Sequence, residues 1–258
     1  MTSSSHRLRH TLRAAIAGDG RVVGTFVKLS TPDVIELAAA AGFAFVVVDL
    51  EHSTLSEQDA IGLVRHAELC RLPAVVRIPR VDAALVNRLL ENGASGFQLS
   101  MLSTVAQARE FRAATRFPPD GARSISLANR VAQFGAPGIS AFLRAEAEDP
   151  PLLVGQIETV GTEPYESILP GLDVCFVGTT DLSVDLGVSP DAAELRSAVT
   201  DIASAARAAG IAFGGWAPSV AAVARLGLDA ADYLVVGSDL QILAAGLRAA
   251  ALPEDGEL

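Results

Sequence analysis

The chain has 258 residues, half of them hydrophobic, and a net charge of −10 at neutral pH. This length and apolar content can bury one large core, so a single α/β domain is expected rather than two small ones. An acidic chain lacks the basic surface that nucleic-acid binding needs, which disfavours that class of protein. No apolar stretch reaches membrane length without a charge or a glycine, so a membrane protein is also disfavoured.

The amino terminus and the cysteines indicate a cytoplasmic protein. Residues Met1–His10 are polar and basic and lack the apolar segment of a signal peptide. Cys70 ends a helical pattern and Cys175 lies inside an apolar run. Both are expected to be buried, reduced thiols rather than a disulfide.

Strand and helix patterns alternate along the chain. An amino-terminal helix at about His6–Ala17, within an extension over residues 1–20, precedes the repeat and is expected to close the bottom of the fold. Eight apolar runs rich in β-branched residues follow, and their continuous apolar character is typical of parallel strands buried on both faces. These predicted strands are Val22–Lys28, Phe43–Asp49, Ala74–Ile78, Gly96–Leu99, Leu152–Ile157, Val174–Val177, Ile211–Trp216 and Tyr233–Val236.

Amphipathic helices fill the intervals between the strands. Thr31 is expected to cap the first of them, with Pro32 at its first helical position. The predicted helices are Pro32–Ala41, Ser56–Cys70, Asp82–Asn92, Val105–Thr115, Glu163–Leu169, Asp191–Ala209, Ser219–Leu226 and Leu240–Leu252. Eight βα units in about 250 residues predict a (β/α)8 TIM barrel, as one domain over residues 1–258. A doubly wound open sheet is the alternative, but the Gly-x-Gly-x-x-Gly fingerprint is absent after the first strand.

A long connection between the fourth and fifth strands, Phe117–Pro151, interrupts the repeat. It carries Arg123, Arg130 and a short predicted helix at Ile139–Glu148. Connections of this length in a compact domain are usually functional. The acidic tail at residues 253–258 is expected to be flexible.

Two carboxylates, Glu158 and Asp181, each end an apolar run. Carboxylate oxygens are the ligands that Mg²⁺ and Mn²⁺ prefer. For either acid alone, capping or ion pairing is the commoner role, and Asp181 is also suited to capping a turn. The occurrence of both at strand ends favours a metal site.

Further functional side chains follow the second and third strands. His52 is the best candidate for a general acid or base, because histidine is the side-chain type best suited to proton transfer near neutral pH, with loop capping as the alternative. Arg77 ends a buried strand and cannot lose its charge, so it needs either a substrate anion or a structural partner in Asp49 or Glu51. Lys28 is the only lysine in the chain, and it would be the sole candidate for Schiff-base chemistry, which is disfavoured.

These motifs together resemble the HpcH/HpaI family of class II, metal-dependent pyruvate aldolases, which includes aldolases for 4-hydroxy-2-oxoheptanedioate and 2-dehydro-3-deoxyglucarate. The resemblance extends from Gly24 to about Leu247. The matching stretches are Pro32-x-x-x-Glu36 with Ala41-Gly42-Phe43, Asp49-Leu-Glu-His52, Val76-Arg77, Leu89-Leu90-Glu91-x-Gly93-Ala94, Arg116-Phe-Pro-Pro-x-Gly-x-Arg123, Gln156-x-Glu158-Thr159 and Gly178-x-x-Asp181-Leu-Ser.

The resemblance implies a (β/α)8 barrel that assembles as a homohexamer, a trimer of dimers, and exchanges its last helix between subunits. It implies that Glu158 and Asp181 bind a divalent cation, Mg²⁺, Mn²⁺ or Co²⁺. It also implies that Gln156 and Thr180, together with Asp181, contact the 2-oxo acid.

The resemblance further implies catalytic roles for three residues. Arg77 would stabilise the enolate, and His52 would relay a proton with the acid at Glu91 as its partner. Asp49 would reach the site of a neighbouring subunit. Because Glu91 ends a predicted helix rather than a strand, its role depends on the resemblance alone.

Four positions differ from the family pattern. Glu91 stands where aspartate is usual, Ser100 where a Val-Pro motif is expected, Thr179 where Gly-Pro is expected, and Ser124 where glycine follows the loop arginine. The four changed residues line or support the expected pocket. A different substrate and a loss of activity are therefore both alternatives to the family's usual reaction.

The sequence therefore predicts an aldolase that cleaves or forms 4-hydroxy-2-oxo acids from a 2-oxo acid and an aldehyde, through the enolate of the metal-chelated 2-oxo acid. One alternative is a related carbon–carbon lyase or synthase that uses oxaloacetate or an acyl-CoA, for which Arg123 and Arg130 are the available cations. The other is a diverged barrel that only binds a keto acid or a partner protein. The aldehyde pocket is expected to be shaped by the Phe117–Pro151 connection and a neighbouring subunit.

Overall fold

The computed structural model describes residues 3–18, 20–161 and 163–251. Within them, parallel strands β1 to β8 follow one another around a closed barrel, and β8 pairs with β1. The predicted (β/α)8 barrel is confirmed, and the open sheet is wrong because no strand of this sheet is at an edge. The strands are β1 Val22–Val27, β2 Phe45–Asp49, β3 Ala74–Ile78, β4 Gly96–Leu99, β5 Leu152–Ile157, β6 Val174–Val177, β7 Ala212–Ala217 and β8 Tyr233–Ser238.

Helices surround the barrel on the outside. They are α1 Ser4–Ile16, α2 Asp33–Ala40, α3 Glu57–Leu69, α4 Ala83–Glu91, α5 Val105–Thr115, α6 Ile139–Glu148, α7 Tyr165–Ile168, α8 Thr179–Asp185, α9 Ala193–Ala208 and α10 Asp239–Ala251. No helix in the described part of the chain has the length and apolar character needed to cross a bilayer. The tail predicted at residues 253–258 lies outside the described residues.

Three local predictions differ from the structure. The predicted helix Ser219–Leu226 is two 3₁₀ turns, Val220–Ala222 and Ala224–Leu226, because no side chain caps this short stretch and Gly227 ends it in the left-handed region at φ 73°. The N-cap of α2 is Pro32 rather than Thr31, whose hydroxyl donates to the Asp33 side chain instead. Helix α8 has no counterpart among the predicted helices.

The barrel interior is filled by aromatic and aliphatic side chains. Leu12 and Ile16 of α1 belong to this interior cluster, so the amino-terminal helix closes the bottom of the barrel as expected. Phe45 and Tyr233 stack across the interior with ring centroids 4.2 Å apart. Any side chain at Gly24 would collide with the Phe45 ring, so the absence of a Cβ there is a packing requirement.

The 117–151 connection lies at the bottom of the barrel. It joins the end of α5 to the start of β5, and a helix-to-strand connection in this fold runs at the amino-terminal ends of the strands. Within one chain it therefore cannot line a site at their carboxyl ends, contrary to the expectation that it shapes the aldehyde pocket. The two arginines considered for a nucleotide are already paired, Arg123 with Glu146 and Arg130 with Glu68, so these two do not form a groove for it.

A buried ionic network fastens this connection to α1. Glu146 of α6 lies 2.9 Å from both His6 Nε2 and Arg9 Nη1, and its second oxygen accepts a hydrogen bond from Arg123 at 2.7 Å. Burial alone would raise the pKa of Glu146, but Arg9, His6 and Arg123 lower it far below its usual range. The Glu146 carboxylate is therefore ionised. Its contacts with His6 and Arg9 of α1 and with Arg123 join the 117–151 connection to α1.

Replacing Glu146 with alanine should lower the free energy of unfolding by about 3–5 kcal/mol, because two arginines would be left buried without a counter-ion. Urea unfolding measures the loss. The exposed Glu148 on the same helix provides the matched control, and Glu148→Ala should change stability by less than about 0.5 kcal/mol. Equal effects of the two substitutions would contradict the structural role of the network.

Candidate active site

A cavity of about 390 Å³, which we call the mouth cavity, opens at the carboxyl ends of the strands. Active sites of (β/α)8 barrels form at this end. Five of the predicted site residues line it together: His52, Arg77, Gln156, Thr180 and Asp181. Lys28, the residue that directly follows β1, lines the mouth cavity as well.

Asp49 and Arg77 form a buried, two-point ion pair at the floor of the cavity. The β2–β3 register places the two residues side by side. Arg77 Nε and Nη2 donate to the two oxygens of Asp49 at 2.9 and 2.6 Å, and the guanidinium lies 4.2 Å from the centre of the Phe26 ring. Burial raises the pKa of Asp49, but the hydrogen bonds and charge of Arg77 outweigh it and lower the pKa to about 2.

The geometry of this pair corrects the expected role of Asp49. Its carboxylate is fully buried in its own barrel, so it cannot reach the site of a neighbouring subunit. It instead fixes the plane of the Arg77 guanidinium. Lys28 Nζ lies 3.0 Å from the same carboxylate, so Asp49 contacts two cations.

His52 is positioned by the turn that follows β2. Asp49 accepts hydrogen bonds from the backbone N–H groups of Glu51 and His52 at 3.0 and 3.1 Å. The imidazole is 58% exposed, and its Nε2 lies 3.7 Å from Glu51 Oε2. Glu51 also accepts a hydrogen bond from Ser100 Oγ at 2.5 Å, so Ser100 supports the carboxylate beside His52.

The structure does not bring Glu91 to His52 within one chain. Glu91 is the last residue of α4, which runs down the outside of the barrel and ends at the amino-terminal side of the strands. Its side chain accepts a hydrogen bond from Asn87 Nδ2 at 3.4 Å. In one chain the carboxylate beside His52 is Glu51, which belongs to the Asp49–His52 motif and for which the sequence alone predicts no catalytic role.

Glu158 and Asp181 lie side by side. Helix α8 begins directly after β6, which places Asp181 in its first turn. A Cβ at Gly178 would lie 2.6 Å from Glu158 Cγ, so glycine here makes room for the Glu158 side chain. Glu158 is 3% exposed and accepts a hydrogen bond from the Met101 N–H at 3.2 Å.

The surroundings of Glu158 suit a cation. Burial, more than any other factor, raises the pKa of Glu158 to about 7; the Met101 N–H opposes this rise, and the charges of Asp181 and Glu51 add to it. The buried Glu158 carboxylate and the exposed Asp181 carboxylate beside it repel each other, and a divalent cation between them would relieve the repulsion. Within the described residues no group of three or more histidine, cysteine or acidic side chains is arranged around one point. Substrate and water would therefore complete the coordination.

Gln156 lies below the carboxylate pair and is almost completely buried. Its Oε1 accepts a hydrogen bond from Gln98 Nε2, which leaves the Gln156 amide nitrogen to donate to a ligand. Gln98 lies in the middle of β4 and was missed by the sequence analysis, because a single glutamine inside an apolar run carries no motif.

The Glu158→Gln variant should lose the part of the pH dependence of stability that Glu158 causes when metal is removed. In the wild type the folded-state pKa is raised, so unfolding favours ionisation and stability falls as pH rises from about 5 to 8. In EDTA, the variant should gain about 2–3 kcal/mol of unfolding free energy relative to the wild type over this range. Urea unfolding at both pH values measures it.

Added Mn²⁺ at pH 8 should stabilise the wild type and leave Glu158→Gln unchanged, because the cation binds the folded state only through the intact carboxylate pair. Glu166→Gln, an exposed position, is the control and should behave as the wild type. Equal stabilisation of Glu158→Gln by Mn²⁺ would remove Glu158 from the cation site.

Comparison with known proteins places this geometry in a family. The family model described as HpcH/HpaI aldolase/citrate lyase matches residues 22–245. A hydroxypyruvate/pyruvate aldolase of Chromohalobacter salexigens is 31% identical over 241 residues, covering 91% of this chain and 93% of that protein. A 5-keto-4-deoxy-D-glucarate aldolase of Klebsiella pneumoniae subsp. pneumoniae is 31% identical over 236 residues, covering 89% and 91%.

Among solved structures, the citrate synthase SbnG is similar with a TM-score of 0.79 and 25% identity, and the alignment covers 94% of this chain and 95% of that one. The family match spans the barrel from β1 into α10. The chain therefore belongs to the HpcH/HpaI aldolase/citrate lyase family.

Proposed function

We propose that this member of the family is a divalent-metal-dependent aldolase that cleaves and forms 4-hydroxy-2-oxo acids, with pyruvate or a close 2-oxo acid as the nucleophilic part. The observation that carries the proposal is the pairing of Glu158 with Asp181, because Asp181 lines the same cavity as Arg77. One side of the cavity is suited to a cation and the other presents a fixed positive charge. The two aldolases in the comparison, named for hydroxypyruvate/pyruvate and for a keto-deoxy sugar acid, support this reaction class.

Glu158 and Asp181 are the proposed ligands of Mg²⁺, Mn²⁺ or Co²⁺. A bound divalent cation supplies Lewis acidity, which lowers the cost of forming an enolate from a 2-oxo acid. Thr180 and Asp181 lie in the first turn of α8, where backbone N–H groups have no partner within the helix. These N–H groups and the Gln156 amide are the proposed donors to the carboxylate of the 2-oxo acid.

Arg77 is the proposed stabiliser of the enolate oxygen and of the alkoxide that develops during carbon–carbon bond formation. Asp49 occupies Nε and Nη2, which leaves Nη1 for the substrate. Because the ion pair and the Phe26 ring hold the guanidinium in place, its charge is oriented before the reaction begins, which is the arrangement that lowers a barrier most.

His52 is the proposed proton carrier between solvent and the aldol hydroxyl. Its exposed ring at the rim of the cavity suits exchange through a water molecule. Lys28 is not suited to be a Schiff-base nucleophile, because its ammonium is paired with the buried Asp49 and an ammonium has no lone pair to attack a carbonyl.

A synthase that uses oxaloacetate is the second candidate, supported by the citrate synthase among the structural relatives. An acyl-CoA partner has less support, because Arg123 and Arg130 lie at the opposite end of the barrel from the mouth cavity. A barrel that only binds its ligand is disfavoured by the assembly of Arg77 and Asp181 around one cavity, with Glu158 beside Asp181.

The test is pyruvate release from racemic 4-hydroxy-2-oxo acids, coupled to lactate dehydrogenase, in EDTA and then with Mg²⁺, Mn²⁺ or Co²⁺. Metal should restore release in the wild type. Glu158→Ala and Asp181→Ala should lose about 100-fold or more in kcat/KM, and Arg77→Met about 10²–10³-fold. Glu166→Gln is the control and should keep full activity.

Each other outcome of this assay points to one alternative. Citrate formation from oxaloacetate and acetyl-CoA, without cleavage of any 4-hydroxy-2-oxo acid, would replace the aldolase by the synthase. Full cleavage by Glu158→Ala at limiting metal would refute the metal mechanism. Binding of pyruvate without either reaction would leave the barrel as a binding protein.

The proposal includes a homohexamer, a trimer of dimers, in which α10 packs on a neighbouring subunit. The support is the apolar surface of this helix, where Leu240, Ile242, Leu243 and Leu247 are 44%, 50%, 50% and 61% exposed. A cytoplasmic location is also proposed, which the free thiols of Cys70 and Cys175 support.

Light scattering after size-exclusion chromatography should give the mass of six chains for the wild type. The double substitution Leu243→Glu and Leu247→Glu should reduce the mass, because two charges from each of two subunits cannot be buried at their contact without partners. Leu69→Glu places the same charge on another exposed leucine, at the end of α3, and should leave the assembly intact. A monomeric wild type would refute the assembly.

A further inference from the structure

A second cavity, of about 300 Å³, lies between the end of α5 and α6, and we call it the bottom cleft. Helices that follow a strand in this fold end at the amino-terminal side of the strands, so the bottom cleft lies at the opposite end of the barrel from the mouth cavity. Its volume is that of a pocket for a small ligand. Its lining includes Arg112, Arg116, Phe117, Pro118, Leu143 and Glu146.

Two arginines of the bottom cleft have no acidic partner. Arg112 lies in the last turn of α5, and Arg116 is the C-cap of that helix. Neither takes part in the ion pairs of the residues that the structure describes, because the acids nearest to them are bound by other bases. Arg116 Nη1 donates to the Pro151 carbonyl at 3.0 Å and to Thr115 Oγ1 at 3.5 Å. Its Nε and Nη2 are therefore available to a ligand.

The acids around the bottom cleft are largely neutralised by other groups. Glu146 accepts hydrogen bonds from the three bases that fasten α6 to α1 and to the 117–151 connection. Asp173 is paired with Arg13. The other acid of the lining is Asp120, which is exposed. One exposed acid therefore accompanies two unpaired arginines, and the bottom cleft keeps a positive charge.

Like charges act on Arg116 from several sides. Burial, more than any other factor, lowers the pKa of Arg116 to about 10, and Asp173 opposes this fall. The charges of Arg13, Arg9 and Arg112 add to the fall. A half-buried cation among other cations would be stabilised by an anion at close range.

Two further arginines of this region have N–H groups without an acceptor. Arg9 Nη2 and Arg13 Nε are buried and have no hydrogen-bond partner among the described residues. Arg9, Arg13 and Arg116 also donate to three consecutive backbone carbonyls, in residues 149–151. Carbonyls accept hydrogen bonds but carry no net charge, so the positive charge and the donors of this region exceed the acceptors that the chain supplies.

The lining indicates the class of anion. The planar guanidinium of arginine matches two oxygens of a phosphate or a carboxylate. Two unpaired arginines suit a group that carries close to two negative charges, as a phosphate monoester does above its second pKa near 6. Phe117, Pro118 and Leu143 form an apolar side of the bottom cleft, which suits a short hydrocarbon segment joined to the phosphate.

We propose that the bottom cleft is a binding site for a phosphate group, which Arg112 and Arg116 bind together. The site is independent of the proposed function, because it shares no residue with the mouth cavity. A phosphate bound there contacts α5 and lies beside α6, which Glu146 joins to α1. The ligand therefore stabilises the bottom of the barrel.

Calorimetric titration of the full chain tests the site without requiring turnover. The probes are inorganic phosphate, butyl phosphate and acetate, at pH 8, constant ionic strength and in EDTA, so that no divalent cation brings phosphate to the mouth cavity. The wild type should bind one phosphate group per chain, at least about 10-fold more tightly than acetate, because a second charge contacts the second arginine. Tighter binding of butyl phosphate than of inorganic phosphate supports the site with a phosphate ester as its ligand, and equal binding supports it with free phosphate.

Arg112→Met and Arg116→Met should each weaken phosphate binding by about 10- to 100-fold, the value expected for hydrogen bonds between charged groups. Arg112 is exposed, so its substitution does not disturb packing, and an unchanged thermal unfolding curve verifies this. Arg109→Met is the matched control, since Arg109 is an exposed arginine of the same helix that does not line the bottom cleft. It should bind phosphate as the wild type does.

Three results would overturn the assignment. The first is a wild type that binds acetate as tightly as phosphate, or that binds no phosphate. The second is full affinity in both Arg112→Met and Arg116→Met, which would place the phosphate elsewhere, for instance in the mouth cavity. The third is an equal loss in Arg109→Met, which would reduce the binding to a general effect of net charge.

Discussion

The buried carboxylate of Asp49 organises the catalytic end of the molecule. It joins β2 to β3 through the two-point contact with Arg77, and it accepts the backbone N–H groups that begin the turn carrying Glu51 and His52. It also contacts the only lysine of the chain. An ionised carboxylate inside a barrel is stable only when it is fully paired, so the same pairing that makes Asp49 tolerable also fixes three side chains of the cavity.

The bottom of the barrel contributes stability, whereas the top carries the candidate active site. At the bottom, α1 and the 117–151 connection are joined through Glu146 and three bases, in a network without access to the mouth cavity. At the top, like charges lie beside each other at Glu158 and Asp181. Stability gained at the bottom offsets the unfavourable electrostatics at the top, which is the usual division in this fold.

The strands were predictable because each is an apolar run that parallel strands buried on both faces require, and the observed bounds of β3 to β6 are those predicted. Helix α8 was not predicted, because its seven residues begin with the polar segment that was interpreted as a strand end. The place of the 117–151 connection could have been deduced, since it follows a helix and precedes a strand.

The site was only partly predictable, because the βα repeat predicts which residues end the strands but not the conformation of turns or the contacts between strands. The strand-end position of Arg77, Gln156 and Glu158 follows from the repeat, so their convergence could be expected. The acid beside His52 is determined by the conformation of the turn after β2, which the spacing of residues in the sequence does not predict. The contact of Gln98 with Gln156 depends on the β4–β5 register, which no short motif encodes.

The solitary lysine has a practical consequence. Every other cationic side chain of the chain is arginine or histidine, so reductive methylation with ¹³C-formaldehyde would introduce labels only at the terminal amine and at Lys28. The Lys28 methyl resonance would then be a spectroscopic reporter placed by the fold itself at the wall of the mouth cavity. It would follow ligand entry in solution without a mutation or a bulky probe.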